Sequence, residues 1–161
     1  MRRKDREVTD RKELYRIIEK AKILRLGLMD ETYPYVVPVH FGFECTFGTW
    51  VFYMHCAGEG KKLDLIRKNP HVCVEMDCEA ELISGGEEAC RYGSSYASVI
   101  GFGKAEIVED TEAKIHALSF LMQNQTGKTF AFTKEMTDRV AVIRVTLDEI
   151  SGKERRKPDE A

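Results

Sequence analysis

Strand-like runs dominate this chain and limit the folds open to it. Runs rich in β-branched and aromatic residues are typical of strands, and they recur along the sequence with only occasional helical segments between them. We predict strands over 23–29, 33–43, 49–55, 71–76, 94–108 and 139–147, with 79–83 as an extension of the sheet. This order favours an antiparallel α+β barrel over a doubly wound parallel sheet.

Helical patterns are confined to a few segments. The first follows Asp10, a good N-cap residue, and its apolar residues recur at the spacing of one buried face: Leu14, Ile17, Ile18 and Ala21. A short helix is predicted over 61–69. A second long helix follows Asp110, with a predicted core stripe of Ile115, Leu118, Leu121 and Met122.

Prolines and glycines mark special positions in two of the strands. Pro34 and Pro38 cannot donate ladder hydrogen bonds, so the strand over 33–43 lies at an edge, at a bulge, or beside something other than a strand. Gly101 and Gly103 indicate a bulge or a close backbone approach in the strand over 94–108.

Length and charge balance indicate one soluble domain. The chain has 161 residues, and its 25 basic and 27 acidic residues leave a net charge of -2, without the basic excess of a nucleic-acid-binding protein. No apolar run approaches the roughly 20 residues that a membrane-spanning helix needs, and the charged start is unlike a secretory signal. We expect a cytoplasmic protein with one domain over 1–150 and a charged, mobile tail over 151–161.

The five cysteines do not favour a disulfide framework or a zinc site. No two of them form a Cys-x-x-Cys pair. His71 and Cys73 share a face if their segment is a strand, with Cys78 nearby in sequence, which leaves a metal site as an alternative. Buried, reduced thiols are the preferred interpretation, so we predict no metal.

One turn has features of a phosphate site. The strand over 49–55 ends just before Gly58 and Gly60, and Lys61 and Lys62 then open a helix. Helix N-termini carry unsatisfied N–H groups and a partial positive charge, to which the lysines add full charges. The spacing is not that of a P-loop. The alternative is a solvated turn with two surface lysines.

Histidines and hydroxyls supply further candidates. His55 precedes this turn and His40 follows the strand with two prolines; each is a barrel-rim residue, a proton donor near pH 7, or an axial ligand to a metal cofactor. Tyr96 and Ser98 belong to a hydroxyl cluster that suits a phosphate or a heterocycle edge, or simply completes a strand end. The Gly-x-Ser-x-Gly elbow of serine hydrolases does not surround Ser94, Ser95 or Ser98.

Together these residues resemble a known family. The motif His-x-Ala-x-x-Gly-x-Lys, here beginning at His55 and ending at Lys62, and the motif Tyr-x-Ser-Val, here beginning at Tyr96, occur in family order within a resemblance that covers most of the chain. The chain is similar to the FMN-binding split β-barrel proteins related to pyridoxamine 5′-phosphate oxidase, and within them to the nitroimidazole-resistance branch.

The resemblance implies a six-stranded antiparallel split β-barrel with flanking helices, a homodimer, and FMN held between subunits. It also implies flavin-dependent reduction of small, electron-poor substrates of the nitroaromatic type, with His55 and Tyr96 as candidate catalytic residues. The implied cofactor-binding residues are Val37, Pro38, Val39, His40, Tyr53, Met54, His55, Cys56, Lys61, Lys62 and Ser98.

Two alternatives accompany this interpretation. The first is a flavin- or haem-carrying module without turnover, and the second is a barrel without cofactor. The chain also departs from true pyridoxamine phosphate oxidases, which carry an Arg/His substrate motif near the C-terminus where this sequence has SGKERRKPDEA. That specific activity is therefore not expected.

Overall fold

A computed structural model describes residues 2–157 of the chain. The strands are β1 (Glu7–Val8), β2 (Leu24–Leu28), β3 (Tyr35–Val39), β4 (Gly42–Thr46), β5 (Thr49–Cys56), β6 (His71–Ile83), β7 (Gly93–Val108) and β8 (Ala141–Arg155). The helices are α1 (Arg11–Lys20), α2 (Lys61–Lys68), α3 (Thr111–Thr126) and α4 (Lys134–Thr137), with short 3₁₀ turns at Lys4–Arg6 and Ala89–Arg91. None of the helices described is long and apolar enough to cross a membrane.

All eight strands form one antiparallel sheet in the order β3-β2-β6-β7-β8-β5-β4, and β1 pairs with the far part of β8. The sheet is not closed, because its two terminal strands do not pair with each other in residues 2–157. The predicted α+β split barrel is confirmed, but the count of six strands is not. The run over 33–43 breaks after Val39 into β3 and β4, and the two-residue β1 adds a further strand.

The end of the chain corrects a second prediction. We expected a mobile tail from residue 151, but β8 continues to Arg155, paired with β7 as far as Tyr96. Gly152 lies against β1, where an added Cβ would come within 2.7 Å of Leu14. The charged residues on this stretch are half-buried, and the Glu154 carboxylate pairs with Arg16 of α1. Residues 158–161 lie outside the described part.

The hydrophobic core lies inside the barrel, and α1 packs against it. Asp10 caps α1 as predicted, accepting hydrogen bonds from the backbone N–H groups of Lys12 and Glu13, and the helix buries Leu14, Ile17 and Ile18. A second cluster lies outside the barrel, between α3 and the sheet. Of the predicted α3 stripe, Leu118 and Leu121 are buried, whereas Ile115 and Met122 are only half-buried.

The predicted irregularity in β7 is present. The β7–β8 register shifts between Phe102 and Gly103, and a Cβ at Gly103 would lie 2.1 Å from the Thr146 carbonyl oxygen. The backbones of β7 and β8 therefore approach each other at a point where a side chain has no room.

Gly42 is the point at which α3 rests directly on β4. A Cβ there would lie 2.2 Å from the Leu121 nitrogen, on helix backbone that cannot swing aside. We expect Gly42→Ala to lower the free energy of unfolding by about 3 kcal/mol, because overpacking forces the helix off the strand. Urea denaturation measures this. Gly58→Ala is the control, since an added Cβ there meets nothing within 4 Å; equal effects of the two substitutions would contradict the prediction.

Candidate functional site

The candidate site lies where β3, β5 and the start of α2 meet. β3 is an edge strand that pairs only with β2 in residues 2–157, and Pro38 stands opposite Arg25 in that pairing. Of the three alternatives predicted from the prolines, the edge position is the one that β3 adopts. An edge strand presents a row of unpaired backbone N–H and C=O groups. The free edge of β3 can bind a flat polar ligand through its main chain.

His40 and His55 lie close together at this edge. The β4–β5 pairing ends with Gly42 opposite Tyr53, so each histidine lies two residues beyond the last pair. Electrostatics agree with that placement, because burial and then the charges of His40 and Lys62 lower the pKa of His55. The two imidazoles and one ammonium group are hereafter called the His40–His55–Lys62 cluster.

The predicted phosphate turn lines a cavity of about 290 Å³ between β3 and α2. Gly60 precedes the helix with a φ of 132°, a backbone conformation that L side chains rarely adopt. The walls of the cavity include Tyr35, Cys56, Glu59, Gly60, Lys61 and Lys62. The fold therefore places the glycine bend and both lysines around one small cavity.

The two lysines have different surroundings. The Lys61 ammonium pairs with the Asp30 carboxylate at 2.6 Å and lies 4.8 Å from the centre of the Tyr35 ring. Lys62 is half-buried and forms no ion pair with any residue in the described range 2–157. Burial raises the pKa of the neighbouring Cys56 thiol, an effect that the Lys62 charge opposes. Lys62 therefore supplies the cationic charge that remains available to an anion.

Tyr53 and Met54 direct their side chains away from the cavity. Tyr53 is 5% exposed beneath α3, where its hydroxyl donates to Glu44 and its ring packs against His116. Burial and the Glu44 carboxylate raise the pKa of this hydroxyl. Met54 points into the barrel core at 1% exposure. Neither side chain is therefore available to a ligand at the β3 edge, and the Tyr53 main chain is itself flanked by paired strands, at Gly42 and Arg144.

Tyr96 and Ser98 are not brought to the cluster. Both lie on β7, which β2 and β6 separate from β3, so three strand spacings, about 14 Å, intervene. The Ser98 hydroxyl donates to the Lys153 carbonyl oxygen at 3.5 Å, and the Tyr96 hydroxyl accepts from Arg6 at 3.5 Å. Within one protomer the candidate residues therefore form two separate groups.

Sequence reasoning missed two residues of the site. The sequence analysis gave Asp30 no role, yet its carboxylate pairs with Lys61. Tyr35 was placed in a strand only, yet its ring lies beneath that ammonium. The alternation of Tyr35, Val37 and Val39, which are the half-buried residues of β3, was the available signal for Tyr35. Nothing local to the sequence indicated the Asp30–Lys61 pair.

Residues 71, 73 and 78, the alternative metal ligands, do not form a site. In the described part of the chain no three His, Cys, Asp or Glu side chains are grouped so as to hold a metal ion. The His71 ring and backbone contact Asn69 instead, and the Cys78 thiol contacts the Ile17 carbonyl oxygen in the core.

Residues 10–154 match the family model described as pyridoxamine 5′-phosphate oxidase. Among solved structures, a Bacteroides thetaiotaomicron protein provisionally described as a 5-nitroimidazole antibiotic resistance protein is 31% identical, with a TM-score of 0.79 over 91% of this chain and 85% of that one. No curated protein matches the chain in sequence.

Two more distant structures share the fold. A flavocytochrome from Azotobacter vinelandii is 19% identical, with a TM-score of 0.80 over 98% of this chain and 73% of that one. A protein from Mycobacterium smegmatis that binds FAD and haem is 18% identical, with a TM-score of 0.76 over 96% of this chain and 78% of that one.

Proposed function

We propose an FMN-dependent redox function for this chain, which belongs to the pyridoxamine 5′-phosphate oxidase family. One observation carries the proposal: Lys62 is a half-buried cation without an ion-pair partner in residues 2–157, and it stands beside the free edge of β3. A phosphate supplies the missing negative charge, and a flat heterocycle supplies hydrogen-bonding partners for the strand edge. FMN contains both groups in one molecule.

The residues present fit this cofactor. Gly60 opens the start of α2, where backbone N–H groups and the helix dipole favour an anion. Lys62 adds a full charge to them. The ring would lie along β3 over Val37, Pro38 and Val39. At β5, Met54 and Cys56 would contribute through the main chain, whereas Tyr53 is flanked by paired strands on both sides, at Gly42 and Arg144.

A second copy of the chain is part of the proposal. The outward side of the sheet carries an apolar groove of about 680 Å³, and Met29, Val36 and Phe102 on its walls are 60%, 56% and 52% exposed. Exposed apolar patches of this kind mark protein interfaces. A homodimer built on this side would also allow Tyr96 and Ser98 of one protomer to reach the cofactor of the other.

The proposed reaction is the reduction of small, electron-poor aromatics, a nitro compound being the example suggested by the 31% identical structure. When bound, FMN would supply two-electron transfer from a reduced nicotinamide to such an acceptor. The part of this chain is to bind the phosphate, orient the ring, and leave one ring face open. Because its pKa is lowered, neutral His55 offers the site one hydrogen-bond donor and one acceptor at pH 7. His55 and, through the second copy, Tyr96 are the proton-transfer candidates.

The cellular compartment is also proposed. All five cysteines are free thiols, which suits a reducing environment. We therefore place the protein in the cytoplasm. Cell fractionation followed by thiol labelling tests this. A secreted protein whose cysteines are oxidised to disulfides would contradict it.

Haem is the second candidate ligand, with a carrier function in place of turnover. Two imidazoles meet at the His40–His55–Lys62 cluster, and imidazole is a common axial ligand of haem iron. The absorbance spectrum of the purified protein separates the two candidates. We expect a blue absorption band with yellow-green emission, from flavin; an intense Soret band would favour haem. Oxidation of NADH or NADPH that depends on an added nitroaromatic would then separate an enzyme from a carrier.

FMN binding is expected to raise the pKa of His55. The phosphate would lie beside Lys62, one of the charges that lower this pKa in the free protein, and an anion stabilises the imidazolium form. NMR titration of the His55 ring with and without FMN measures the change. Riboflavin is the matched control, because it lacks the phosphate. A pKa that stays the same or falls with FMN would place the phosphate elsewhere.

A further inference from the structure

His40 is held by the end of α3 and by the segment between α1 and β2. Its Nδ1 lies 3.2 Å from the Lys22 carbonyl oxygen and 3.1 Å from Gln125 Oε1. The Gln125 amide nitrogen donates to the carbonyl oxygens of Phe41, at 2.8 Å, and Lys22, at 3.3 Å. Two segments that are distant in sequence therefore contact one imidazole ring.

These contacts determine where the ring proton lies. A carbonyl oxygen only accepts hydrogen bonds, so Nδ1 must donate to Lys22. The Gln125 NH₂ group points at two carbonyls, which leaves Oε1 as a second acceptor for the same Nδ1–H. Two acceptors keep a proton on Nδ1, so of the two neutral tautomers they select the one whose Nε2 has no proton.

The anchoring of α3 keeps this arrangement in place. Gly42 lets the α3 backbone contact β4 directly, and Asn124 also donates to the Phe41 carbonyl oxygen, at 3.0 Å. His40 itself is exposed. With Nδ1 directed at Lys22 and Gln125, the opposite ring atom, Nε2, is the one available at the free end of β3.

We propose that Gln125 and the Lys22 carbonyl hold His40 in its Nδ1–H tautomer, so that the bare Nε2 accepts the N3–H of a bound flavin. Oxidised flavin has a single ring N–H, which lies between two carbonyl groups on its pyrimidine edge. Gln125 is then a positioning residue that acts through His40. The flavin part of this proposal rests on the proposed function, whereas the tautomer part concerns the free protein alone.

The tautomer is measured first, in the free protein. Long-range ¹H–¹⁵N NMR correlation at about pH 8, where histidines are ordinarily neutral, is expected to show His40 protonated at Nδ1. Gln125→Leu removes one of the two acceptors and should introduce a detectable Nε2–H population. Asn124→Leu is the control, because it breaks a bond to the same Phe41 carbonyl without touching His40. An Nε2–H form in the unmodified protein, or equal effects of the two variants, would overturn the tautomer assignment.

The acceptor role is tested with a matched pair of ligands. N3-methyl-FMN lacks the ring N–H, and we expect it to bind about tenfold more weakly than FMN, the loss of one neutral hydrogen bond. His40→Asn keeps a donor for Lys22 but has no atom at the Nε2 position, so this variant should bind both ligands equally. A methyl penalty that persists in His40→Asn would overturn the acceptor role. Failure of the unmodified protein to bind FMN would refute the proposed function but leave the tautomer result standing.

Discussion

Lys62→Ala is expected to weaken FMN binding by about 2 kcal/mol, roughly 30-fold, whereas Lys61→Ala should change it less than about threefold. The two lysines are neighbours with the same charge, but the Lys61 ammonium is already paired with Asp30 at 2.6 Å. Lys62 has no ion-pair partner in the described residues and is half-buried. Fluorescence titration of FMN against the two variants measures the difference.

Riboflavin provides the control for this comparison. Because it lacks the phosphate, its affinity should be the same for the unmodified protein and for Lys62→Ala, so the preference for FMN should collapse in that variant alone. Asp30→Asn releases the Lys61 ammonium from its partner and should partly restore FMN binding when combined with Lys62→Ala. A larger loss of FMN affinity in Lys61→Ala than in Lys62→Ala would show that the phosphate binds Lys61 instead of Lys62.

The turn that we propose as the phosphate site could be located from the sequence because its features are local. A strand end, the glycine bend at Gly60 and two lysines follow each other within a few residues, and the structure keeps them together around one cavity. The contrast between Lys61 and Lys62 was not predictable. It depends on Asp30, which is about 30 residues away in sequence and reaches Lys61 only after β2, β3 and α2 have packed.

The face of a strand was harder to predict than its existence. The run over 49–55 is apolar on both sides, because the barrel core covers Met54 and α3 covers Tyr53. Period-two alternation identifies the inner face only when the other face is polar. The same limit explains the end of the chain, where the charges of β8 beyond Gly152 suggested a tail although its backbone pairs with β7.

The separation of Tyr96 and Ser98 from the other candidates is a property of strand order, which a single sequence does not state. β7 follows β6 in sequence, and the sheet places β6 and β2 between β7 and β3. Family resemblance assigned all these residues to one site. The geometry of one protomer keeps them apart, which is the physical reason for including a second copy in the proposal.

Phe102→Asp is expected to separate the proposed dimer and to abolish FMN binding at micromolar concentrations. Phe102 lies on the outward face in a cross-strand row with Val36, Gly27 and Cys73, and its side chain is 52% exposed in one protomer. An unpaired carboxylate buried at an interface costs about 4 kcal/mol, roughly a thousandfold in the dimer dissociation constant. Light scattering after size exclusion, followed by FMN titration of the same sample, measures both effects.

Phe47→Asp is the matched control. It makes the same substitution at a fully exposed phenylalanine in the β4–β5 turn, away from the groove, and should leave mass and FMN affinity unchanged. Thermal unfolding should show that the Phe102 variant remains folded, because the side chain contributes little to the barrel core. A Phe102→Asp protein that is still dimeric would place the interface elsewhere. A monomeric variant that binds FMN with full affinity would show that one protomer holds the cofactor alone, so that Tyr96 and Ser98 have no part in the site.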